Sequence, residues 1–580
     1  MAQVIQAESP PGVLDWGSHM ATCGIFDPMP PEVKDQCEKN THLLEYIHTL
    51  PTDEVGIPSY YPELTRKMGG LENRNLLYPV SDEVLIHVWS APGEERDLYI
   101  PVEPSFNIPI EKSLLDVETR LIDRAMEYAD FESREEREAA LLQSMNKICK
   151  VSNKTGESGG KKSKGLFSFS RSSSGDRVSM NGQEYKAIKY MIFRDRVGLG
   201  VLEPMVLDPN IEDISCAGVG AIFLEHKVFS SMKSGLAFDS HDELDKFVLR
   251  LSEQIKRPVT MRSPIVDAVL PDGSRINIVY GREVSRRGSN FTIRKFSDTP
   301  LSILELIEFG SVSYKMAAYL SIVLEEGMNA FVSGETASGK TTLMNAITTF
   351  VPASAKIVSI EDTPEVQVPH GNWLREVAKA PGKGDVGAAV TMMDLLKAAL
   401  RQRPNLIIIG EIRGEEGLIA FQAMQTGHPV MATFHASSVE KLIQRLTGHP
   451  ISVPKAYVDN LNVVIIQNAV KLPNGKMARR ATSISEIVGY DPVSNSFSFV
   501  EVFRWDPQND EFEFVGDKNS YLLEEVIAFR RGIPANKKWD IYIQLEKRAR
   551  VLERLHKQKG ITGYYELQKV LDQAQRQGIF

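Results

Sequence analysis

The chain has 580 residues, enough for several domains, and its 42% hydrophobic and 25% charged residues are ordinary for folded soluble domains. Its formal net charge of −9 at pH 7 excludes a general electrostatic attraction to nucleic acid. The sequence shows neither a signal-peptide pattern nor an apolar run near the ~18 residues of a membrane span. We therefore expect a cytoplasmic protein that can contact the inner face of the membrane only through a partner.

Residues 1–150 form the first predicted region, a docking module of mixed α/β structure that ends in a helix. Short apolar runs such as EVLIHVW predict strands, and the spacing of Leu114, Val117 and Leu121 predicts a helical face. The next segment, 151–184, is nearly half Ser and Gly and carries an excess of Lys and Arg. It cannot bury enough apolar surface to offset its ordering entropy, so we expect a flexible linker. Contact of its basic residues with an anionic membrane is the alternative.

Residues 185–298 predict an α+β domain. DISCAGVGAIFLEH alternates as strands do, Leu244, Val248 and Leu251 mark one face of a helix, and RINIVY and FTIRKF read as further strands.

Residues 299–520 alternate between strand and helix, the pattern of a parallel α/β sheet with helices on both faces. Near-continuous apolar runs place the strands at 330–333, 357–360, 406–409, 430–434 and 463–466. Three antiparallel strands with Asp-Pro turns follow, and residues 521–580 read as a charged helical tail.

The stretch GETASGKTT matches the phosphate-binding pattern GxxxxGK[ST] between a predicted strand and a predicted helix. Glycines at 334 and 339 would let backbone N–H groups surround phosphates, Lys340 would reach the β- and γ-oxygens, and Thr341 would offer a hydroxyl to Mg²⁺. The predicted nucleotide-binding residues of this loop are Gly334, Glu335, Thr336, Ala337, Ser338, Gly339, Lys340, Thr341 and Thr342.

Acidic residues follow two other strands: Glu361 and Asp362 in IVSIEDTPE, and Glu411 in NLIIIGEIRG. The C-terminal edges of parallel strands meet on one side of the sheet, so these acids are expected beside the phosphates. One would hold Mg²⁺, partly through water, and another would orient or deprotonate the attacking water. The sequence leaves open which glutamate is the base; helix capping is the alternative for any single acid.

Two histidines, His428 and His435, flank the strand in TGHPVMATFHA. Their separation along an extended segment argues against a shared metal. A role at the nucleotide, with His428 as a nucleotide contact and His435 as a catalytic sensor of the γ-phosphate, and a structural hydrogen bond are both open.

Four stretches, taken in chain order, resemble the Walker A, acidic, Walker B and histidine boxes of the secretion ATPases. They are GETASGKTT, IEDTPEVQ, LKAALRQRPNLIIIGEIRGEE and MQTGHPVMATFHASS. These are the motors of type II and type IV secretion, type IV pili and archaella. The resemblance covers about residues 202–488, and it includes the Gly410-Glu411 ending of the Walker B strand, where most P-loop ATPases have Asp-Glu. It implies a RecA-like P-loop ATPase core preceded by an α+β domain that packs over the nucleotide.

The resemblance also implies site roles and partners. Lys340 and Thr341 would act on phosphate and Mg²⁺, Glu411 would be the Walker B acid that acts on Mg²⁺, and Glu361 would be the catalytic glutamate. Arg275 and Arg294 match family arginines that reach the nucleotide, although surface strand positions are the alternative. The implied cofactors are ATP and Mg²⁺. The implied assembly is a homo-hexamer that acts on a polytopic membrane platform protein and, through it, on pilin-like subunits.

The sequence departs from two bacterial branches of that family. It has no cysteine after Cys216, so it lacks a four-cysteine zinc module, and it lacks the AIRNLIRE stretch of retraction motors. EVFRWDPQNDEFEF and the charged tail resemble the archaeal branch instead, which favours assembly over retraction. The competing hypotheses are a RecA-like nucleic-acid translocase, disfavoured by the net charge, and a scaffold that binds ATP without turning it over.

Overall fold

The structure is a computed structural model, and it describes residues 25–26, 28–124, 133–151, 177–270, 272–296, 299–379 and 389–580. The chain divides into two compact units, Met1–Ser297 and Asp298–Phe580. Within the described ranges, no helix is both long and apolar enough to cross a membrane.

Ten described strands of the first unit form one sheet in the order β1-β2-β3-β4-β9-β8-β7-β12-β11-β10, and β5 pairs with β6. The strands of this unit are β1 (Ser59–Tyr60), β2 (Asn75–Pro79), β3 (Leu85–Trp89), β4 (Leu98–Val102), β5 (Cys149–Val151), β6 (Val178–Met180), β7 (Ile211–Cys216), β8 (Gly220–His226), β9 (Ser230–Phe238), β10 (Ile265–Val269), β11 (Arg275–Val279) and β12 (Asn290–Arg294). Its helices are α1 (Pro31–Lys39), α2 (Thr41–His48), α3 (Thr52–Val55), α4 (Glu111–Ile122), α5 (Arg134–Ile148), α6 (Gly182–Arg196), α7 (Glu203–Leu207) and α8 (His241–Gln254).

The parallel pairing of β4 with β9 joins strands of residues 1–150 and strands of residues 185–298 in one sheet, although the sequence pattern predicts these ranges as separate regions. A buried hydrogen-bond cluster reinforces this junction. The Tyr78 and Tyr99 hydroxyls, from β2 and β4, donate to the same oxygen of Asp208 at 2.5 and 3.1 Å. Asp208 is fully buried, so losing either donor would leave its carboxylate short of a partner.

Most of the predicted linker, residues 152–176, lies outside the described residues. Of the rest, Val178–Met180 is a strand, and Asn181 caps helix α6 by accepting a hydrogen bond from the backbone of Glu184.

The second unit contains a nine-stranded sheet in the order β15-β14-β16-β17-β13-β18-β19-β20-β21. Its strands are β13 (Ala330–Ser333), β14 (Ile357–Glu361), β15 (Trp373–Val377), β16 (Leu406–Ile409), β17 (Val430–Phe434), β18 (Val463–Lys471), β19 (Met477–Asp491), β20 (Ser496–Asp506) and β21 (Glu511–Phe514). Its helices are α9 (Ile303–Glu308), α10 (Tyr314–Glu325), α11 (Lys340–Ile347), α12 (Met392–Ala399), α13 (Glu416–Gln425), α14 (Val439–Thr447), α15 (Ala528–Arg530), α16 (Asp540–Lys557) and α17 (Tyr564–Arg576). A π-helical turn, Leu522–Ile527, precedes α15.

The strands from β15 to β18 are parallel, and β19 to β21 continue the sheet in antiparallel fashion. Successive side chains of one strand enter different cores: Val332 belongs to one cluster and Phe331 to another. Because side chains alternate across a strand, the two clusters lie on opposite faces of the sheet, and each is covered by helices. The predicted α/β P-loop core with helices on both faces is confirmed.

The C-terminal tail is helical, and its apolar stripe is part of the same core. Leu545 and Leu552 of α16 and Leu567 and Leu571 of α17 are buried in the cluster that contains Val332. Burying a leucine side chain stabilises a fold by about 1.5–3 kcal/mol, so these helices contribute to the stability of the sheet they cover.

Candidate nucleotide-binding and hydrolysis site

The loop Gly334–Gly339 connects the central strand β13 to helix α11, as a phosphate-binding loop requires. A Cβ atom at Gly334 would lie 1.9 Å from the backbone oxygen of Gln467, so only glycine fits there. Gly339 adopts φ +89° and Ala337 φ +60°, which turns the backbone sharply before the helix. Glu335, Thr336 and Ala337 form the exposed rim, whereas Ser338 is buried.

Lys340 begins α11 and points back across the loop. Its ammonium donates to the backbone oxygen of Glu335 at 2.8 Å and lies 3.4 Å from Nδ1 of His435. Burial lowers the pKa of Lys340, and the nearby Glu411 and Glu365 carboxylates oppose that shift. A buried lysine whose ammonium is held against the loop backbone is suited to bind phosphate oxygens.

Glu411 lies at the centre of a charged cluster beside Lys340. One carboxylate oxygen is 3.0 Å from Nε2 of His435, and the other accepts a hydrogen bond from Arg413 at 2.7 Å. Burial alone would raise the pKa of Glu411, but the Arg413 hydrogen bond and the charges of His435, Arg413 and Lys340 lower it below its usual value. For His435, burial and the Lys340 charge lower the pKa. The structure thus brings together the predicted residues Lys340, Glu411 and His435, and adds Arg413.

Glu361 occupies a different position from the one the sequence analysis expects. It ends β14, its side chain is fully buried, and one carboxylate oxygen accepts the backbone N–H groups of Glu365 and Val366, each at 2.6 Å. Its other oxygen lies 3.5 Å from Nε of Arg375. Burial raises the pKa of Glu361 to about 7. These contacts favour an anchoring role for Glu361 over the predicted role as base.

The same packing explains why Gly410 precedes Glu411 directly after β16. A Cβ atom at position 410 would lie 3.1 Å from Cγ of Glu361, which is closer than most carbon contacts. Glycine therefore provides the space that the buried Glu361 side chain fills.

Glu365 is the acidic-box carboxylate that contacts the first turn of the helix after the phosphate-binding loop. The hydroxyl of Thr341, in the first turn of α11, donates to Glu365 Oε2 at 3.2 Å. Glu365 belongs to the quoted IVSIEDTPE stretch, but the sequence pattern predicts no role for it. The sequence feature that could have identified Glu365 is its position in the loop after β14, whereas Glu361 is still part of the strand.

His428 and His435 lie at opposite ends of β17. β17 runs parallel to β13, and His435 comes directly after β17. His435 therefore lies at the sheet edge where the phosphate-binding loop begins, whereas His428 comes before β17 and lies at the opposite edge. Nδ1 of His428 is 3.1 Å from the Thr426 hydroxyl in the turn that enters the strand. Five strand residues span roughly 17 Å. The predicted nucleotide contact of His428 is therefore not met within this chain.

Arg275 and Arg294 belong to the first unit. They are directly opposite each other in the antiparallel pairing of β11 with β12. This pairing places two guanidinium groups side by side on one sheet; their predicted contact with nucleotide stays a prediction.

The loop and its surroundings fit the phosphates of a nucleotide and Mg²⁺. The backbone turn, the Lys340 ammonium and the hydroxyl of Ser338, which is buried without a hydrogen-bond partner in the described structure, provide donors for phosphate oxygens. In the described part of the chain, no group of three His, Cys, Asp or Glu side chains could hold a metal ion. An Mg²⁺ ion held by Thr341, water and phosphate oxygens requires no such group.

A parallel α/β sheet whose central strand leads through GxxxxGK[ST] into a helix, with carboxylates at the neighbouring strand ends, defines a P-loop nucleotide-binding protein.

The chain belongs to the family of type II/IV secretion system proteins, which are secretion ATPases; the model of that family matches residues 195–495. It is 42% identical over 544 residues to an uncharacterised protein of the archaeon Methanocaldococcus jannaschii, covering 93% of this chain and 96% of that protein. It is 29% identical over 315 residues to the type IV secretion system protein PtlH of Bordetella pertussis, covering 49% of this chain and 91% of that protein.

Among solved structures, the VirB11 ATPase from the Brucella suis type IV secretion system matches with 21% identity and a TM-score of 0.25, covering 55% of this chain and 96% of that chain. The Legionella pneumophila ATPase DotB matches with 18% identity and a TM-score of 0.36, covering 66% and 95% respectively. The resemblance to secretion ATPases that the four sequence boxes indicate is confirmed by the family match.

Proposed function

We propose that this protein is an ATP-hydrolysing, homo-hexameric motor. It powers the assembly of a type IV pilus-like or archaellum filament, or type II-like secretion, by acting on an integral-membrane platform protein. It resides in the cytoplasm and reaches the membrane through that platform. The observation that carries the proposal is the convergence of Lys340, His435, Glu411 and Glu365 around the phosphate-binding loop of a secretion-family chain.

Each side chain has a task that its contacts support. Lys340 binds the β- and γ-phosphates, and the lowered pKa of Glu411 keeps its carboxylate ionised beside that charge. Thr341 and Glu411 hold Mg²⁺, in part through water, and the ion would neutralise charge that develops on the phosphates. Glu365 faces the Thr341 hydroxyl and orients or deprotonates the attacking water.

His435 connects Lys340 to Glu411, since its two ring nitrogens lie 3.4 Å from the Lys340 ammonium and 3.0 Å from the Glu411 carboxylate. A residue in this position transmits a change at the phosphate to the Walker B acid, which is what a γ-phosphate sensor must do. We propose further that Arg275 and Arg294 supply permanent positive charge to the developing phosphate charge during the cycle.

Assays on the purified protein test the proposed ATP hydrolysis. Phosphate release from ATP should require Mg²⁺ and should fall about 100-fold or more in Glu411→Gln. The matched control is Glu415→Gln, an exposed acid in the same segment, which should hydrolyse ATP at the wild-type rate. A wild-type rate no higher than that of Glu411→Gln would refute hydrolysis and favour the scaffold hypothesis.

Experiments in cells and the mass of the assembled protein test the proposed motor. Lys340→Ala should abolish the filament or the secreted product while the protein remains present at its normal level, and light scattering of the wild type with a slowly hydrolysed ATP analogue should give the mass of six chains. Filaments that form normally in the Lys340→Ala strain would refute the motor. Salt-sensitive stimulation of hydrolysis by single-stranded DNA would favour the translocase hypothesis instead.

A further inference from the structure

Tyr564 connects the C-terminal tail to the helix that follows the phosphate-binding loop. It is the first residue of α17 and only 1% exposed. Its hydroxyl lies 2.7 Å from the Thr348 hydroxyl, 3.2 Å from the backbone oxygen of Asn345 and 3.3 Å from that of Gln367. One tail hydroxyl thus lies between the end of α11 and the last residue of the acidic box, Gln367.

The Asn345 side chain joins these two elements directly. Its Nδ2 donates to the backbone oxygen of Glu365 at 3.0 Å, and its Oδ1 accepts from the backbone N–H of Gln367 at 3.2 Å. Asn345 is one helical turn beyond Thr341, whose hydroxyl bonds the Glu365 carboxylate. The segment 365–367 is therefore held by Asn345 and Tyr564, and from the other side by Glu361.

We propose that Tyr564 is a positioning residue for ATP hydrolysis: its hydroxyl fixes segment 365–367 against α11 and so holds the Glu365 carboxylate at Thr341. This rests on the proposed function of Glu365. The Tyr564 ring is anchored because α17 packs against the core through Leu567 and Leu571. The position of its hydroxyl is therefore fixed by the fold. The C-terminal tail thereby helps to position an active-site carboxylate, although Tyr564 lies more than 200 residues from the phosphate-binding loop in sequence.

Tyr564→Phe keeps the buried ring and removes the hydroxyl. We expect kcat for ATP hydrolysis to fall about tenfold while KM for ATP stays within about twofold, because small displacements of a reacting group slow the chemical step and the loop still binds the phosphates. The matched control is Tyr542→Phe, which removes another buried tail hydroxyl, one that bonds Glu524 and Gly516 and does not touch segment 365–367. It should lose stability and keep the wild-type kcat.

Amide hydrogen exchange of the full chain without nucleotide gives a second readout that does not depend on activity. The amides of Val366 and Gln367 should exchange at least tenfold faster in Tyr564→Phe and at the wild-type rate in Tyr542→Phe. Unchanged exchange at these two amides in Tyr564→Phe would overturn the proposal. If the wild type does not hydrolyse ATP, the proposed function fails, and the exchange data still decide whether Tyr564 holds the segment.

A double-mutant cycle with Glu365→Asp, which retains a carboxylate, tests whether Tyr564 acts through Glu365. We expect the double variant to lose much less than the product of the two single losses in kcat. Losses that multiply, or an equal loss of kcat in Tyr542→Phe, would show that Tyr564 contributes only general stability and would overturn the inference.

Discussion

Replacing Glu361 separates its two possible roles, anchor and base. Its buried oxygen accepts the N–H groups of Glu365 and Val366, and Val366 is itself fully buried. Leaving a buried N–H without a partner costs about 1–3 kcal/mol, and the N–H of the partly exposed Glu365 costs less than that of Val366, so Glu361→Ala should destabilise the segment locally by about 2–4 kcal/mol. Since 1.4 kcal/mol is a factor of ten, the Val366 amide should exchange between about 30-fold and 700-fold faster.

Glu361→Gln is the informative comparison. Its amide oxygen can still accept both N–H groups, and its amide nitrogen would displace only the 3.5 Å contact from the partly exposed Arg375. We therefore expect local destabilisation of about 1 kcal/mol or less and hydrolysis within about fivefold of wild type. A general base, in contrast, contributes about 10²–10⁴-fold, and that loss should be seen in Glu365→Gln.

The assays are amide exchange across residues 361–368 and steady-state phosphate release, both on the full chain near pH 7.5. Our reasoning is refuted if Glu361→Gln keeps wild-type exchange and yet loses hydrolysis by more than about 100-fold, because Glu361 would then act chemically. It is equally refuted if Glu365→Gln hydrolyses ATP normally.

Three further predictions concern sterics and pH. Gly334→Ala should abolish nucleotide binding in a calorimetric titration, because its Cβ would meet the Gln467 backbone oxygen at 1.9 Å; tight binding by this variant would contradict the loop geometry. Gly410→Ala should lower stability by about 1–3 kcal/mol and slow hydrolysis, since the methyl group would press on the buried Glu361; wild-type melting and turnover would show that Glu361 can move aside. The folded-state pKa of Glu361, about 7, lies above its ordinary value of 4.5, so its stabilising contribution is complete below pH 4.5 and is lost as the pH rises through 7. The melting temperature of wild type relative to Glu361→Gln should therefore fall between pH 5 and 8, and a constant difference would show that Glu361 is ionised throughout.

The sequence by itself determined the phosphate-binding loop and the strands around it, because both depend on local patterns. GETASGKTT needs only its own glycines and the adjacent strand and helix, and a strand buried on both faces is recognisable as an apolar run wherever it packs. The position of Glu411 at the edge that carries Lys340 also followed from sequence, since the ends of parallel strands share one edge, whereas the contact of His435 with both residues is a finding of the structure.

Only the tertiary structure decided which acid of IVSIEDTPE faces the loop. Glu361 and Glu365 are four residues apart, and the last side chain of β14 points into the space left by Gly410, whereas the following loop carries Glu365 to Thr341. A sequence pattern does not show towards which face of the sheet the last side chain of a strand points. Nor does it show which neighbouring residue leaves the space for that side chain. The same holds for Tyr564, because its contacts with Asn345 and Gln367 arise from packing between distant segments, which no local pattern records.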